Sequence, residues 1–455
     1  MKHDHPKGSA HFSPQEVQVI VTCLKQIMLN EGYSNLVVND QIRGAKLEGA
    51  TANRVRKVVY GTIEHWLYLE AWLSNLTHKG MKPDVKMLLM AGLYELNYLS
   101  GTHDHVIVNR YVNAVLKIAP HAKDYVHAIL RRAQREPLDL SGLDLKNRLS
   151  LTYSHPIWLV GKWLKRLGEV ETEALLQANL AQRPLALRVN TLRATQGQVL
   201  DSLLEAGAKA ELDPYLDNAI LVHNLGGNNL ETLSCFSGGW VTVQDVSSML
   251  VGHIAAPRTG ESWLDMCAAP GGKATDLAVR TGPGGRVIAC DLHEHKLPLI
   301  QENADRMGLG QLEVRKQDAR IRVEAFEGAF DGVVLDAPCS GFGIIGRKPE
   351  IKYRKRPEDI GALSLVQKGL LELAGDYVKP GGYLIYSTCT IFKEENEDQI
   401  LDFLDKRADY VCESIEGLVP VGVPLASKDV GMMLLRQSNG WSDGFFIAKL
   451  RRLPK

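Results

Sequence analysis

The stretch Trp263-Leu264-Asp265-Met266-Cys267-Ala268-Ala269-Pro270-Gly271-Gly272-Lys273-Ala274 decides the fold. An apolar strand runs into small residues and then into a helix at 275–279. Small residues let the backbone approach a ligand closely, and a helix N-terminus favours negative groups. A P-loop would need Gly at position 267 and Ser or Thr at 274, where this chain has Cys267 and Ala274. The G-x-G-x-x-G dinucleotide fingerprint is absent as well.

Downstream of this loop, strands are expected at 262–266, 286–290, 312–316, 332–335, 383–386 and 445–450, with helices at 357–379 and 394–406. Such alternation implies a parallel sheet covered on both faces, a Rossmann-like α/β domain. Ligands of open parallel sheets bind outside the carboxyl ends of the strands. Asp291 ends the second strand, where an acid would hold a ribose diol, and Asp318 ends the third, where a purine could find contacts. With Cys267, Ala268, Ala269, Pro270, Gly271, Gly272 and Lys273 at the methionine end, the set suits S-adenosylmethionine.

Two cysteines follow two further strands. Phe330-Asp331-Gly332-Val333-Val334-Leu335 leads into Asp336-Ala337-Pro338-Cys339-Ser340-Gly341, and Gly381-Gly382-Tyr383-Leu384-Ile385-Tyr386 leads into Ser387-Thr388-Cys389-Thr390. A lone cysteine is ordinarily a small buried apolar residue, and Cys23, Cys235, Cys290 and Cys412 are read that way. Two thiols on the cofactor edge fit a harder reaction. Carbon 5 of cytosine is too weak a nucleophile to take a methyl group unaided. A thiolate added at carbon 6 turns the ring into an enamine, an acid near ring N3 stabilises it, and a base then removes the carbon-5 proton. Asp336 is placed for the N3 role. A free thiol is only a few per cent ionised at neutral pH, and Lys273 is the cation expected to favour the thiolate. These residues alone do not say which thiol attacks.

Upstream, residues 12–136 read as five to seven helices, with Ser13 as an N-cap before Pro14 and a loop from Lys79 to Pro83. The segment 140–245 mixes short helices with β-like stretches such as Leu185-Ala186-Leu187-Arg188-Val189. Three domains are therefore expected: 1–140 helical, 141–245 small α+β, and 246–455 catalytic. Net charge is zero, which argues against a mainly electrostatic nucleic-acid binder. A local cluster, Arg347, Lys348, Lys352, Arg354, Lys355 and Arg356, is opposed only by Glu350. The seven cysteines show no CxxC and no framework spacing, and no long apolar run is present. A cytoplasmic location, no membrane partner and a monomer are expected. His103, His105, His293 and His295 form alternating pairs without a third ligand, so no metal is expected.

The motifs Cys267 to Lys273, Asp336 to Gly341 and Ser387 to Thr390 resemble, in combination, those of the RNA cytosine-C5 methyltransferases, and in particular the bacterial 16S rRNA branch. Residues 12–136, with Gly92-Leu93-Tyr94 and Ala128-Ile129-Leu130-Arg131-Arg132, resemble the RNA-binding fold of the antitermination factor NusB. The resemblance implies that Cys389 is the nucleophile, that Cys339 assists product release, that Asp336 joins Cys267 to Lys273, Asp291 and Asp318 in contacting the cofactor, and that the target is cytosine 967 of 16S rRNA. It also implies that Arg347, Lys348 and Arg354 hold phosphates beside a flipped-out base. Similar enzymes often carry two arginines where this chain has Gly346-Arg347, which removes one such contact. Asp443-Gly444-Phe445-Phe446 resembles the family's closing hairpin, with the main task of completing the sheet. A DNA cytosine-C5 methyltransferase would lack a partner for its thiol in a Thr-Cys motif. A non-catalytic RNA-binding protein would not need both cysteines. A tRNA target is the remaining alternative.

Overall fold

A computed structural model describes residues 14–77 and 80–454; Ser13 and Lys79 lie outside the described residues, and with them the cap and the loop start read there. The chain divides into two compact units, Met1–Leu180 with Arg347–Arg354, and Ala181–Gly346 with Lys355–Lys455. The helices Leu145–Thr152 and Ile157–Ala178 pack with the first unit, whose edge lies at Leu180.

The first unit has seven α-helices between Pro14 and Ala133 among the described residues, from Pro14–Met28 to Lys123–Ala133. Val17, Ile20, Leu24 and Ile27 recur at helical spacing on the first helix and are fully buried, so one apolar stripe faces the core. The glycine of Gly92-Leu93-Tyr94 has a packing reason: a Cβ there would stand 3.0 Å from the Leu130 side chain. Tyr94 in turn lies over Gly61, where a Cβ would overlap its ring.

The octapeptide Arg347–Arg354 completes this unit by closing helix ends. The Glu350 carboxylate accepts from the Ser34 amide at 3.0 Å, at the start of helix Ser34–Gly44. Lys352 Nζ donates to the Glu64 carbonyl at 2.9 Å and the Tyr353 hydroxyl to that of Ile63 at 2.8 Å, both in the last turn of helix Gly49–Glu64. Arg354 Nη2 donates to the Ile27 and Gly32 carbonyls, each at 2.6 Å. Helix termini carry unpaired amides at one end and carbonyls at the other. An acid on the first and cations on the second are the charges those ends favour.

The second unit carries two sheets, built from β1 (Leu185–Val189), β2 (Lys209–Leu212), β3 (Ala219–Asn224), β4 (Val241–Val243), β5 (Ser262–Asp265), β6 (Arg286–Asp291), β7 (Leu312–Lys316), β8 (Phe330–Asp336), β9 (Val378–Thr388), β10 (Tyr410–Cys412), β11 (Ser427–Asp429), β12 (Met432–Leu435) and β13 (Phe445–Arg452). The small sheet runs β2-β3-β1-β4 and is antiparallel. The large one runs β11-β12-β13-β9-β8-β5-β6-β7, with β10 on β13. Strands β7, β6, β5, β8 and β9 are parallel, as expected. The sheet as a whole is mixed rather than parallel, because β13 pairs antiparallel with both β12 and β9. A short connection, 436–444, joins β12 to β13, too little chain for a crossover. Gly332 on β8 lies beside Trp263 on β5, and a Cβ there would stand 2.3 Å from the indole. Strand order reverses between β5 and β8, and the cofactor loop and both cysteine loops leave the sheet around this switch point. Among the described residues no helix is long and apolar enough to cross a membrane.

Candidate active site

At the carboxyl ends of these strands lies a cavity of about 390 Å³, whose wall includes Cys267, Ala269, Asp291, Asp318, Asp336, Cys339 and Cys389. Ala268, Pro270, Gly271, Gly272 and Lys273 belong to the same loop but are not part of this wall. The turn closes through a hydrogen bond from the Gly271 amide to the Ala268 carbonyl at 2.6 Å. Gly271 has φ 105° and would place a Cβ 3.2 Å from Ile300, so glycine is required there on two counts. Asp291 is buried and accepts from the Ala269 amide at 3.1 Å and the His293 amide at 2.9 Å, which fixes the loop to β6.

Asp336 receives Lys273 Nζ at 2.7 Å on one oxygen and the Ser387 hydroxyl at 2.7 Å on the other. Desolvation of Lys273 is outweighed by Asp336, with Asp265 and Cys389 adding to it, so the ammonium is held above its ordinary pKa. The two sulfurs, Cys339 Sγ and Cys389 Sγ, are 3.2 Å apart. The hydrogen bond to Cys389, burial and the neighbouring charges of Cys389, Glu395 and Asp336 all push the Cys339 thiol well up, so it keeps its proton.

Asp318 stands on the cavity wall, yet its carboxylate already accepts Arg320 Nη2 at 2.7 Å and Nε at 3.0 Å. An adenine would share that acid with an arginine. Arg347, Lys348 and Arg354 are not in the cavity wall and belong to the helical unit. The Arg354 guanidinium donates through Nη2 to two backbone carbonyls of its own unit.

Three contributors escaped the sequence reading. Asp265, at the end of β5, is fully buried and neither oxygen has a well-formed hydrogen bond. Burial pushes its carboxyl up to about 7, against the Lys273 charge. Asp265 lies behind the loop rather than in the cavity wall, and an acid there with bonding capacity to spare suits the positive end of a methionine moiety, so the residues present fit S-adenosylmethionine. Arg188, on β1, donates to the Gly272 carbonyl, to Gln244 and, at 2.8 Å, to the Thr275 hydroxyl, holding the start of helix Gly272–Thr281. A charged residue inside the apolar run 185–189 was its signal. Gly444 donates its amide to the Gly343 carbonyl at 2.8 Å, while the Gly343 amide reaches the Cys389 carbonyl at 2.9 Å. The Asp443-Gly444 turn therefore supports a cysteine loop besides completing the sheet.

A cavity at the switch point, with aspartates and a thiol pair on the same wall, is what such an enzyme needs, and the family model that matches this region places the protein among the S-adenosylmethionine-dependent methyltransferases. Comparison with known proteins narrows the class. The family described as 16S rRNA methyltransferase RsmB/F matches residues 253–451, an RsmF/B-like ferredoxin-like domain matches 155–226, and the NusB family matches 16–135. The probable ribosomal RNA small subunit methyltransferase B of Bacillus subtilis (strain 168) is 34% identical over 444 residues, covering 95% of this chain and 98% of its own. That of Synechocystis sp. is 31% identical over 96% of this chain and 99% of its own. A methyltransferase homolog from Pyrococcus horikoshii superposes with a TM-score of 0.59 at 25% identity, over 68% of this chain and 100% of that one. The chain belongs to the ribosomal RNA small subunit methyltransferase B family.

Proposed function

We propose that this enzyme methylates carbon 5 of a cytosine in 16S rRNA, cytosine 967, through a covalent bond between Cys389 and carbon 6 of the base. The observation that carries this reading is the 3.2 Å approach of Cys389 to Cys339, on a cavity wall shared with Asp336. Bound S-adenosylmethionine supplies the methyl group. The Cys389 sulfur, beside a proton-retaining Cys339 and the Lys273 charge, adds to carbon 6. The Lys273–Asp336 pair supplies hydrogen bonding to ring N3 as charge develops there. Once carbon 5 carries the methyl group, a base takes its proton. The C–H electrons restore the ring double bond, the C6–Sγ bond breaks, and the Cys339 S–H meets the departing thiolate. Lys348 and the helical unit hold flanking RNA.

A denaturing-gel assay with protein-free 16S rRNA and S-adenosylmethionine tests this. Cys339→Ala should accumulate a protein–RNA adduct and Cys389→Ala should form none. Lys273→Met should slow methyl transfer by about 10²-fold or more. An adduct with Cys389→Ala would reverse the two thiol roles. No adduct in any variant, with no transfer by wild type, would remove the rRNA assignment and turn the search to tRNA.

A further inference from the structure

The two cysteine loops share a buried anchor that the reaction itself does not use. Glu395 and Asn396 are both fully buried, in the break between a 3₁₀ turn, Lys393–Glu395, and helix Glu397–Lys406. The continuous helix expected from residue 394 is interrupted here. Glu395 Oε1 accepts the Ser340 amide at 2.8 Å, and its other oxygen takes the Ser340 hydroxyl. Gln367 Nε2 bonds Glu395 Oε1 at 3.0 Å and the Pro338 carbonyl at 2.9 Å. The peptide groups on both sides of Cys339 are thus fixed through one carboxylate. Asn396 holds the two residues that flank Cys389: its Nδ2 donates to the Thr390 carbonyl at 3.0 Å, and its Oδ1 accepts the Thr388 hydroxyl. Ser340 and Thr390 hydroxyls, 3.0 Å apart, join the two halves.

We propose that Glu395 and Asn396 are a paired positioning device, Glu395 setting Cys339 for product release and Asn396 setting Cys389 for attack. This rests on the covalent reading above. Carbonyls, amides and a carboxylate buried from solvent are held by directional bonds, so the geometry tolerates little drift. Neither residue touches the cavity wall, so each acts through the cysteine it frames. A shift of one loop against the other would lengthen the sulfur–sulfur distance and separate two steps that now share one site.

The test is single-turnover kinetics on the full-length enzyme with 16S rRNA and S-adenosylmethionine, reading adduct formation, methyl transfer and adduct release separately. Glu395→Gln should slow release by about tenfold or more, with transfer slowed less than about threefold, so that adduct accumulates. Asn396→Ala should instead slow adduct formation by about tenfold, leaving no excess adduct. Ser340→Ala and Thr388→Val should repeat the two patterns and serve if either clamp variant fails to fold. A merely structural role would slow every step of both variants together, in line with their loss of thermal stability, and that result overturns the proposal. So does release at the wild-type rate by folded Glu395→Gln. Cys339→Ala serves as the control: if it traps no adduct, the covalent reading itself has failed, and the pairing falls with it.

Discussion

The cofactor loop with its flanking acids and the octapeptide Arg347–Arg354 both concentrate charge in a short length of chain, and they do opposite things with it. Around the loop, hydrogen-bonding capacity is left unfilled: Asp265 is buried with both oxygens short of a well-formed partner. Asp291 accepts two amides, and a carboxylate has room for further donors. In the octapeptide the charged groups of Glu350, Lys352 and Arg354 all bond backbone groups of their own unit. Glu350 Oε2 is also left open, so what sets the loop apart is that its unfilled acid lies next to a cavity lined by further acids; charge density alone does not mark a ligand site.

The largest effect expected from this contrast is at Asp265. Asp265→Asn should weaken S-adenosylmethionine binding by about tenfold to a hundredfold, the cost of losing a charge-assisted bond in a dry setting. Isothermal titration on the full-length protein reads it directly. The pH dependence follows in sign. Burial holds the Asp265 carboxyl up at about 7 in the free protein, so the fraction ionised falls as pH drops from 8 to 6. Wild-type affinity should fall with it and that of the Asn variant should not. Equal pH profiles for the two would place the ammonium elsewhere.

Much of this site was legible because its chemistry is local in sequence. The loop, Asp291, Asp336 and both cysteines each follow an apolar run, Asp318 follows a more polar strand, and parallel strands deliver their ends to one edge. What was not legible depends on partners far along the chain. Arg188 reaches Gly272 from 84 residues away, and Glu395 reaches Ser340 from 55. The antiparallel strands β10, β11 and β12 were missed since runs of three or four residues carry too little alternation to stand out. The basic run shows the same limit at Arg354: spacing shows that charges cluster, and only tertiary contacts show which backbone groups they meet.

An intermediate effect separates the two kinds of cation within the octapeptide. Arg354→Met leaves the Ile27 and Gly32 carbonyls without their donor and should destabilise the helical unit by about 1–3 kcal/mol. It should leave the salt dependence of RNA binding as it is. Lys348→Ala should do the reverse, with little change in melting temperature and a log–log salt slope smaller by about one. Thermal denaturation paired with RNA titrations over a salt series reads both. A reduced slope for Arg354→Met at full stability would return that residue to the RNA-binding set.

The last effect, smallest when read within a single pH unit, isolates the buried ammonium. Burial lowers Lys352 from its ordinary 10.5 to about 7, with Glu64 opposing the shift. Between those values the unfolded chain holds a proton that the folded protein has released, so stability must rise with pH across that window. Glu64 itself is pushed up by burial to about 6 and His65 is pushed down to about 4, so both finish titrating below the window. Cysteines and tyrosines also titrate in the alkaline range, and comparing wild type with Lys352→Met cancels them. The stability difference, wild type minus variant, should grow from pH 7 to pH 9 by up to about 1.4 kcal/mol per pH unit. Chemical denaturation at several pH values reads this. A flat difference would mean that the ammonium keeps its proton at the end of helix Gly49–Glu64, stabilised there by the carbonyl of Glu64 and the helix dipole more strongly than burial opposes it.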